Sequence, residues 1–249
     1  MPLDSRKTYS ELTDLYDLMC NDRGHEAKFY ASYIDHGRDF LEAGCGTGLL
    51  TEQLQMLGYQ VFGIDNSKEM LSVCKTRCPD VPTVQADMRD FDLGRKFDLV
   101  TIPYNTLSHI MTQADLLKTF QCMQQHCRPG GRFIFSLHHH APDVHQCTWA
   151  GVGVPRFYDK VSGEISTIIR TYEVVAKERR LTMTWNVTCP DTLEIRRRHT
   201  IDTRLHSRGD LTAALQEAGF EIEDLFEDEN KKPFSDSSRN QVFVAKSVL

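Results

Sequence analysis

Phe40-Leu41-Glu42-Ala43-Gly44-Cys45-Gly46-Thr47-Gly48-Leu49-Leu50 decides how this chain is read. A short apolar run enters three glycines at alternate positions and leaves them as a helix that starts at about Gly48. Glycine is required where the backbone takes φ > 0 or where a ligand must touch the main chain. Between a strand and a helix of an α/β chain, such a turn is a mononucleotide-type site. The dinucleotide fingerprint is G-x-G-x-x-G. Here the third glycine comes one residue early, giving Glu42-x-Gly44-x-Gly46-x-Gly48, so no pyrophosphate cradle is expected. A turn this tight suits a ligand that joins an adenosine to a short zwitterionic arm, which describes S-adenosylmethionine (SAM). Taken alone, the motif fits an ordinary strand–helix turn as well, so the flanking residues must separate the two readings.

Outward from the turn, the sequence alternates as an open parallel sheet does. A first strand is expected over residues 39–43 and its helix over 48–57. A second strand, 59–64, ends in Asp65-Asn66, and Ser67 is a good N-cap for a helix over 68–77. A third strand, 83–85, leads to Asp87-Met88, and a fourth, 97–102, runs into the loop Pro103–His109. A helix over about 113–127 stops at Pro129-Gly130-Gly131, and a fifth strand covers 132–137. After a helix over 207–218, two strands at about 221–226 and 241–246 close the sheet as a hairpin. The expected fold is an open, mostly parallel, Rossmann-like sheet of seven strands.

Two further regions flank this sheet. Tyr9, Leu12, Leu15, Tyr16 and Met19 recur at helical spacing, and residues 8–36 read as two helices split by the turn Asn21-Asp22-Arg23-Gly24. They precede the first strand, where they can cap the site. Residues 155–205 alternate polar and apolar, rich in Ile, Val, Thr, Tyr and Trp, with turns at 159–163 and 189–191. That is an antiparallel insertion with one face wet and one packed. The expected division is a core of residues 1–147 and 206–249 with its N-terminal cap, and an insertion of 148–205 that serves as acceptor lid or dimerisation surface.

In an open α/β sheet, ligands bind beyond the carboxyl ends of the strands. Glu42 and the glycines Gly44 and Gly46 lie at the first strand end. Asp65 ends the second strand, where two charge-assisted hydrogen bonds would hold ribose hydroxyls. Asn66 follows, and Met70 is placed to pack on adenine. At the third strand end, Asp87 suits the adenine amino group and Met88 flanks the ring. Pro103 and Tyr104 end the fourth strand beneath the sulfonium arm, with Tyr104 turned to the acceptor side. Each acidic residue alone reads equally well as a helix cap or solvated loop; three successive strand ends with suitable residues carry the argument.

The glycine turn resembles the first motif of class I SAM-dependent methyltransferases. Tyr9-Ser10, Leu15-Tyr16-Asp17-Leu18, Gly44-Cys45-Gly46-Thr47-Gly48, Asn66-Ser67, Met70-Leu71, Asp87-Met88-Arg89-Asp90-Phe91 and Leu107-Ser108-His109-Ile110 together resemble the bacterial N,N-dimethyltransferases of nucleotide-linked amino sugars. The resemblance covers about residues 8–137, and the insertion and final helix in outline. It implies that Tyr16 and the strand-end residues hold SAM, and that Tyr9 and His109 face the acceptor. The sequence departs after the fifth strand, where Leu137-His138-His139-His140-Ala141-Pro142 replaces a Trp-rich segment. Amino-sugar specificity is therefore not carried over.

Methyl transfer needs in-line positioning more than strong acid–base chemistry. Removing the acceptor's proton suits a histidine near pH 7, and His109 is the candidate base, with Tyr9 closing the pocket against water. His138 and His140 are candidate acceptor contacts; in a strand they point one way and His139 the other. His109 can equally close its loop by a structural hydrogen bond, and the three histidines can be a polar strand end.

Composition bounds the rest. A net charge of −6 advertises no nucleic-acid face, and no apolar run is long enough to span a membrane. The N-terminal residues lack an apolar signal region, and the eight cysteines contain no C-x-x-C pair, so a cytoplasmic chain without a disulfide framework is expected. No metal is expected, despite the histidine run and His145. The expected function is transfer of a methyl group from SAM to a nitrogen of a small polar metabolite, with possible homodimerisation through the insertion. Transfer to oxygen or carbon of a natural-product or aromatic acceptor stays open, as does a SAM-binding scaffold or sensor without catalysis. A NAD-dependent dehydrogenase fails on the glycine spacing.

Overall fold

β1 (Asp39–Ala43) and β4 (Phe97–Ile102) are almost wholly buried, as central strands covered on both faces must be. They pair in parallel, and β2 (Gln60–Asp65) and β3 (Thr83–Gln85) extend the sheet beyond β1 in the same direction. On the other side, β5 (Cys127–His138) runs parallel to β4, and the hairpin of β11 (Phe220–Phe226) and β12 (Asn240–Ser247) closes the edge antiparallel. The order β11-β12-β5-β4-β1-β2-β3 makes seven strands, and chain order reverses between β1 and β4. This reversal opens the ligand crevice. The computed structural model describes residues 5–20, 24–34, 36–139, 146–150 and 154–249; side chains of residues 5–11, 24–25, 146–150, 154–155 and 176 are outside that description.

Helices cover both faces. On one, α5 (Gln113–His126) and α6 (Arg208–Glu217) meet a core containing Phe120, Phe133, Phe135, Phe220 and Phe243. On the other, α2 (Gly24–Ala31) and α3 (Leu49–Met56) bury Tyr30, Phe40, Leu50, Leu54, Ile134 and Val244. The strict alternation of Phe133, Ile134 and Phe135 between the two cores follows from the two-residue period of a strand. α4 (Lys68–Arg77) follows Ser67, whose hydroxyl accepts from the Met70 N–H at 3.2 Å, as the expected N-cap does.

The expected mostly parallel Rossmann-like sheet, N-terminal helices and antiparallel insertion are all present. Two details differ. β5 starts at Cys127 rather than at residue 132: Cys127 pairs with Phe97, the chain bulges through Pro129-Gly130-Gly131, and Arg132 resumes beside Leu99. The glycines mark the bulge and not the end of pairing, with Gly130 at φ +74°. The loop after β4 also contains a short 3₁₀ turn, Thr106–His109, that no periodicity announces.

The insertion is a second sheet of five strands: β6 (Gln146–Ala150), β7 (Val154–Asp159), β8 (Glu164–Val175), β9 (Arg180–Thr188) and β10 (Ile195–Arg204). Its packed face carries Ile168, Trp185, Val187 and Ile201, and the side chains they meet are Leu12 and Leu15 of α1 (Ser5–Met19). The N-terminal helix thus lies against the insertion.

Candidate cofactor and acceptor site

The three glycines do different work. Gly44 has φ +80°, and a Cβ there would run into Thr106; Gly48 has φ +85°, and its Cβ would sit 2.8 Å from the Cys74 Sγ. Both are therefore demanded by packing as well as by backbone angle. Gly46, at φ +55°, is the exception: a Cβ would meet nothing closer than the Tyr16 ring at 3.9 Å. Among the described residues, the Tyr16 ring of α1 is what a side chain at Gly46 would touch.

Asp65 holds this turn. Its Oδ2 accepts from the Gly46 N–H at 2.9 Å and its Oδ1 from the Ser67 N–H at 2.8 Å. Burial raises its pKa, and these N–H donors pull against that rise. The Asn66 N–H adds a third donor, so of the carboxylate's roughly four acceptor positions about one is left for a hydroxyl. Glu42 lies on β1, only 1% exposed, and accepts from the Thr51 hydroxyl at 2.6 Å. Burial drives its carboxyl up to about 8, with Cys74 and Asp65 adding to the rise and the Thr51 bond opposing it. No cation figures among the described groups that shift it.

The adenine-side candidates are differently placed. Met70 is 2% exposed and so has little surface to offer a ring. Asn66 is partly exposed, and its carbonyl accepts from Gln85 at 3.1 Å. Asp87 is gripped by Arg89, whose Nε and Nη2 donate at 2.9 and 2.6 Å, and Arg89 also reaches Asp115 at 3.4 Å. Met88 packs against the α5-side core.

At the ends of β4 and β5 the chain is strained. Pro103 is buried, and after it Tyr104 and Asn105 take φ +59° and +64° in succession, a left-handed pair without glycine. Partners on β5 hold them there: the Tyr104 N–H donates to the Ser136 Oγ at 3.2 Å and the Asn105 N–H to the Ser136 carbonyl at 3.1 Å. The Asn105 Oδ1 accepts in turn from the His138 N–H. The Tyr104 ring packs into the core on the α2–α3 face.

His109 ends the 3₁₀ turn, and burial pushes its imidazole down to about 4, leaving it neutral near pH 7. His138 is exposed, with Nδ1 2.8 Å from the Asn240 Oδ1, and His139 instead meets the Phe234 ring edge-on at 4.9 Å. The two rings thus point to different partners, as strand alternation requires. His140 lies outside the described residues, as do His145 and the side chain of Tyr9, whose backbone belongs to α1.

Several contributors to this site carry no sequence signal. Arg204 donates to the Met111 carbonyl at 3.0 Å, so the end of β10 braces the segment just after the turn that carries His109. Burial pushes the His206 imidazole to about 4, with Arg204 adding to the fall. Ser136 and Asn240 are unremarkable in sequence, yet they fix Tyr104, Asn105 and His138.

Residues 40–131 match the family described as methyltransferase domain. The chain is 30% identical over 129 residues to the dTDP-3-amino-3,6-dideoxy-alpha-D-glucopyranose N,N-dimethyltransferase of Streptomyces fradiae, covering 49% of this chain and 51% of that one. It is 27% identical over 178 residues to the dTDP-3-amino-3,4,6-trideoxy-alpha-D-glucopyranose N,N-dimethyltransferase of Streptomyces venezuelae, covering 68% and 75%. The match to the first of these relatives thus spans about half of its length. Among solved structures, the CcbJ methyltransferase of Streptomyces caelestis superposes with a TM-score of 0.81 at 22% identity, over 97% of this chain and 98% of that one. The fold is that of the class I SAM-dependent methyltransferases.

Proposed function

We propose that this chain is a SAM-dependent methyltransferase that methylates a nitrogen of a small polar molecule. The surroundings of Gly46 carry the reading: among the described residues, an added Cβ there would meet only the Tyr16 ring, in ordinary van der Waals contact at 3.9 Å. Asp65 would take a ribose hydroxyl on its remaining acceptor position, and Tyr16 would cover the ligand from α1. The ammonium of the ligand's amino-acid arm suits Glu42, whose buried acid a nearby positive charge would pull down in pKa. Bound there, SAM supplies an electrophilic methyl group on a sulfonium.

Nitrogen is favoured over oxygen by His109. An imidazole held at about 4 is a weak base, adequate for orienting an amine that arrives with its lone pair free, and poor for stripping a hydroxyl. The named relatives that methylate amino sugars at nitrogen support the same choice. His109 would act by accepting or donating a hydrogen bond to the acceptor, with Tyr104 and His138 at the neighbouring strand ends. Because His109 stays neutral from about pH 5 upward, the rate should follow the acceptor amine's own deprotonation as pH rises. An acid limb near the ordinary histidine pKa would contradict this.

We place the chain in the cytoplasm, with no nucleic-acid or membrane partner. Among the described residues no helix is long and apolar enough to cross a membrane. Exposed Tyr158, Val161, Ile165, Leu193 and Ile195 on the insertion support a homodimer through that sheet, which light scattering would reveal. The decisive experiment is calorimetry with SAM and S-adenosylhomocysteine, followed by mass analysis of amine and hydroxyl acceptors. Absence of binding ends the reading; a methylated hydroxyl with untouched amines ends the nitrogen preference.

A further inference from the structure

α1 is held by two unlike attachments. Toward the insertion it is apolar: Leu12 and Leu15 are buried against Ile168, Trp185, Val187 and Ile201, with Met19 beside them. Asp14 adds a long contact of 3.4 Å to Arg197, which also donates to the buried Asp159 at 2.7 Å. Toward the glycine turn, Asp17 makes polar ties. The Thr47 hydroxyl donates to the Asp17 Oδ1 at 2.6 Å, and the other Asp17 oxygen pairs with Arg77. Arg77 then donates to the Thr47 carbonyl at 2.8 Å and lies 3.2 Å from its hydroxyl oxygen. The helix, the turn and the last turn of α4 thus meet at Thr47, next to Gly46 and below Tyr16.

The two attachments respond differently to water. Buried aliphatic contacts have nothing to gain from exposure, whereas an ion pair with partly exposed side chains exchanges readily for solvent. Opening the site therefore means releasing Asp17 while α1 stays on the insertion.

We propose that Asp17 is a positioning residue: it straps α1 across the glycine turn, holds Tyr16 against the cofactor, and is the contact that must part for the cofactor to leave. The proposal rests on the SAM reading above. Asp17 touches neither the cofactor nor the acceptor in this scheme and acts through Tyr16 and Thr47.

The test uses the full chain as wild type, Asp17→Asn and Asp14→Asn. Two quantities are followed: S-adenosylhomocysteine dissociation by stopped flow, and hydrogen exchange of α1 with and without that ligand. Asp17→Asn keeps the shape of the side chain but loses the charge, so dissociation should quicken about tenfold, the scale of one charge-assisted hydrogen bond. Ligand binding should protect the α1 amides in the wild type and fail to protect them in Asp17→Asn. Asp14→Asn, on the insertion side, should leave dissociation close to wild type. Equal dissociation from wild type and Asp17→Asn overturns the strap, with the cofactor reading intact. Equal acceleration by both variants also overturns it, since α1 would then be a passive cover. A wild type that binds no S-adenosylhomocysteine overturns the cofactor reading, and the strap falls with it.

Discussion

At the ends of β1 and β2, Asp65 reaches Gly46 across 19 residues and Glu42 reaches Thr51 across 9. At the ends of β4 and β5, Tyr104 depends on Ser136 across 32 residues and His138 on Asn240 across 102. The first region is assembled by consecutive β-α units, the second by strands brought together from distant parts of the chain. Their energetics differ in the same sense. The cofactor region puts its unusual φ angles on glycine, where they come without a Cβ clash. The acceptor region puts them on Tyr104 and Asn105, where each costs of order 1–3 kcal/mol and must be held by neighbours. A cofactor shared by many enzymes can be met by a standard unit, while an acceptor site is made to measure from whatever the fold brings near.

The contrast can be sharpened by five variants. The largest effect is expected at Glu42. Its folded pKa of about 8 stands above the ordinary 4.5, so the folded state holds a proton that the unfolded chain has lost. The resulting stabilisation is complete below about pH 4.5 and is lost as pH rises toward 8, on the order of several kcal/mol in full. Glu42→Gln should remove that downward slope from denaturant melts taken between pH 5 and 8. A slope identical to wild type would show that Glu42 ionises normally and that the turn is less closed than described.

Next come the glycines. Gly44→Ala combines a left-handed alanine with a clash against Thr106 and should lower unfolding free energy by about 3 kcal/mol. Gly46→Ala should lower it by only about 1 kcal/mol and instead weaken S-adenosylhomocysteine binding, since the new methyl lies between the turn and the Tyr16 ring. Equal losses of stability would erase the distinction between a packing glycine and a ligand glycine.

Asp65→Ala should weaken S-adenosylhomocysteine by about 2 kcal/mol in calorimetry, through the lost charge-assisted bonds and the loosened Gly46. The smallest effect belongs to the acceptor side. Asn105→Gly relieves the left-handed strain and forfeits the hydrogen bond to the His138 N–H, so stability should move by less than about 1 kcal/mol. Cofactor affinity should hold while turnover falls. A variant that loses cofactor affinity instead would tie the two regions together.

The cofactor region was legible because its information is local. The glycine spacing, Asp65 and the N-cap Ser67 each lie within one β-α unit, and strand or helix periodicity locates them. The reading went astray where a local signal has two physical meanings. Pro129-Gly130-Gly131 looks like a chain terminator, yet pairing continues on both sides of it as a bulge, because Cys127 already sits beside Phe97. Asp87 shows a different dependence: its strand-end position is plain in sequence, while its pairing with Arg89, which donates to both its oxygens, is a matter of side-chain geometry.

From the sequence alone came the succession of strands and helices, the mostly parallel sheet and the glycine turn that ends β1, since these depend on hydrophobic period and glycine spacing. The tertiary structure alone decided which glycines are closed in by neighbouring side chains, that burial raises the Glu42 carboxyl and lowers the His109 imidazole, and that Thr47, Asp17 and Arg77 meet. Those properties depend on what surrounds a group in three dimensions. Desolvation and hydrogen-bond partners come from residues that lie, in the case of Asp17 and Arg77, 60 positions apart along the chain.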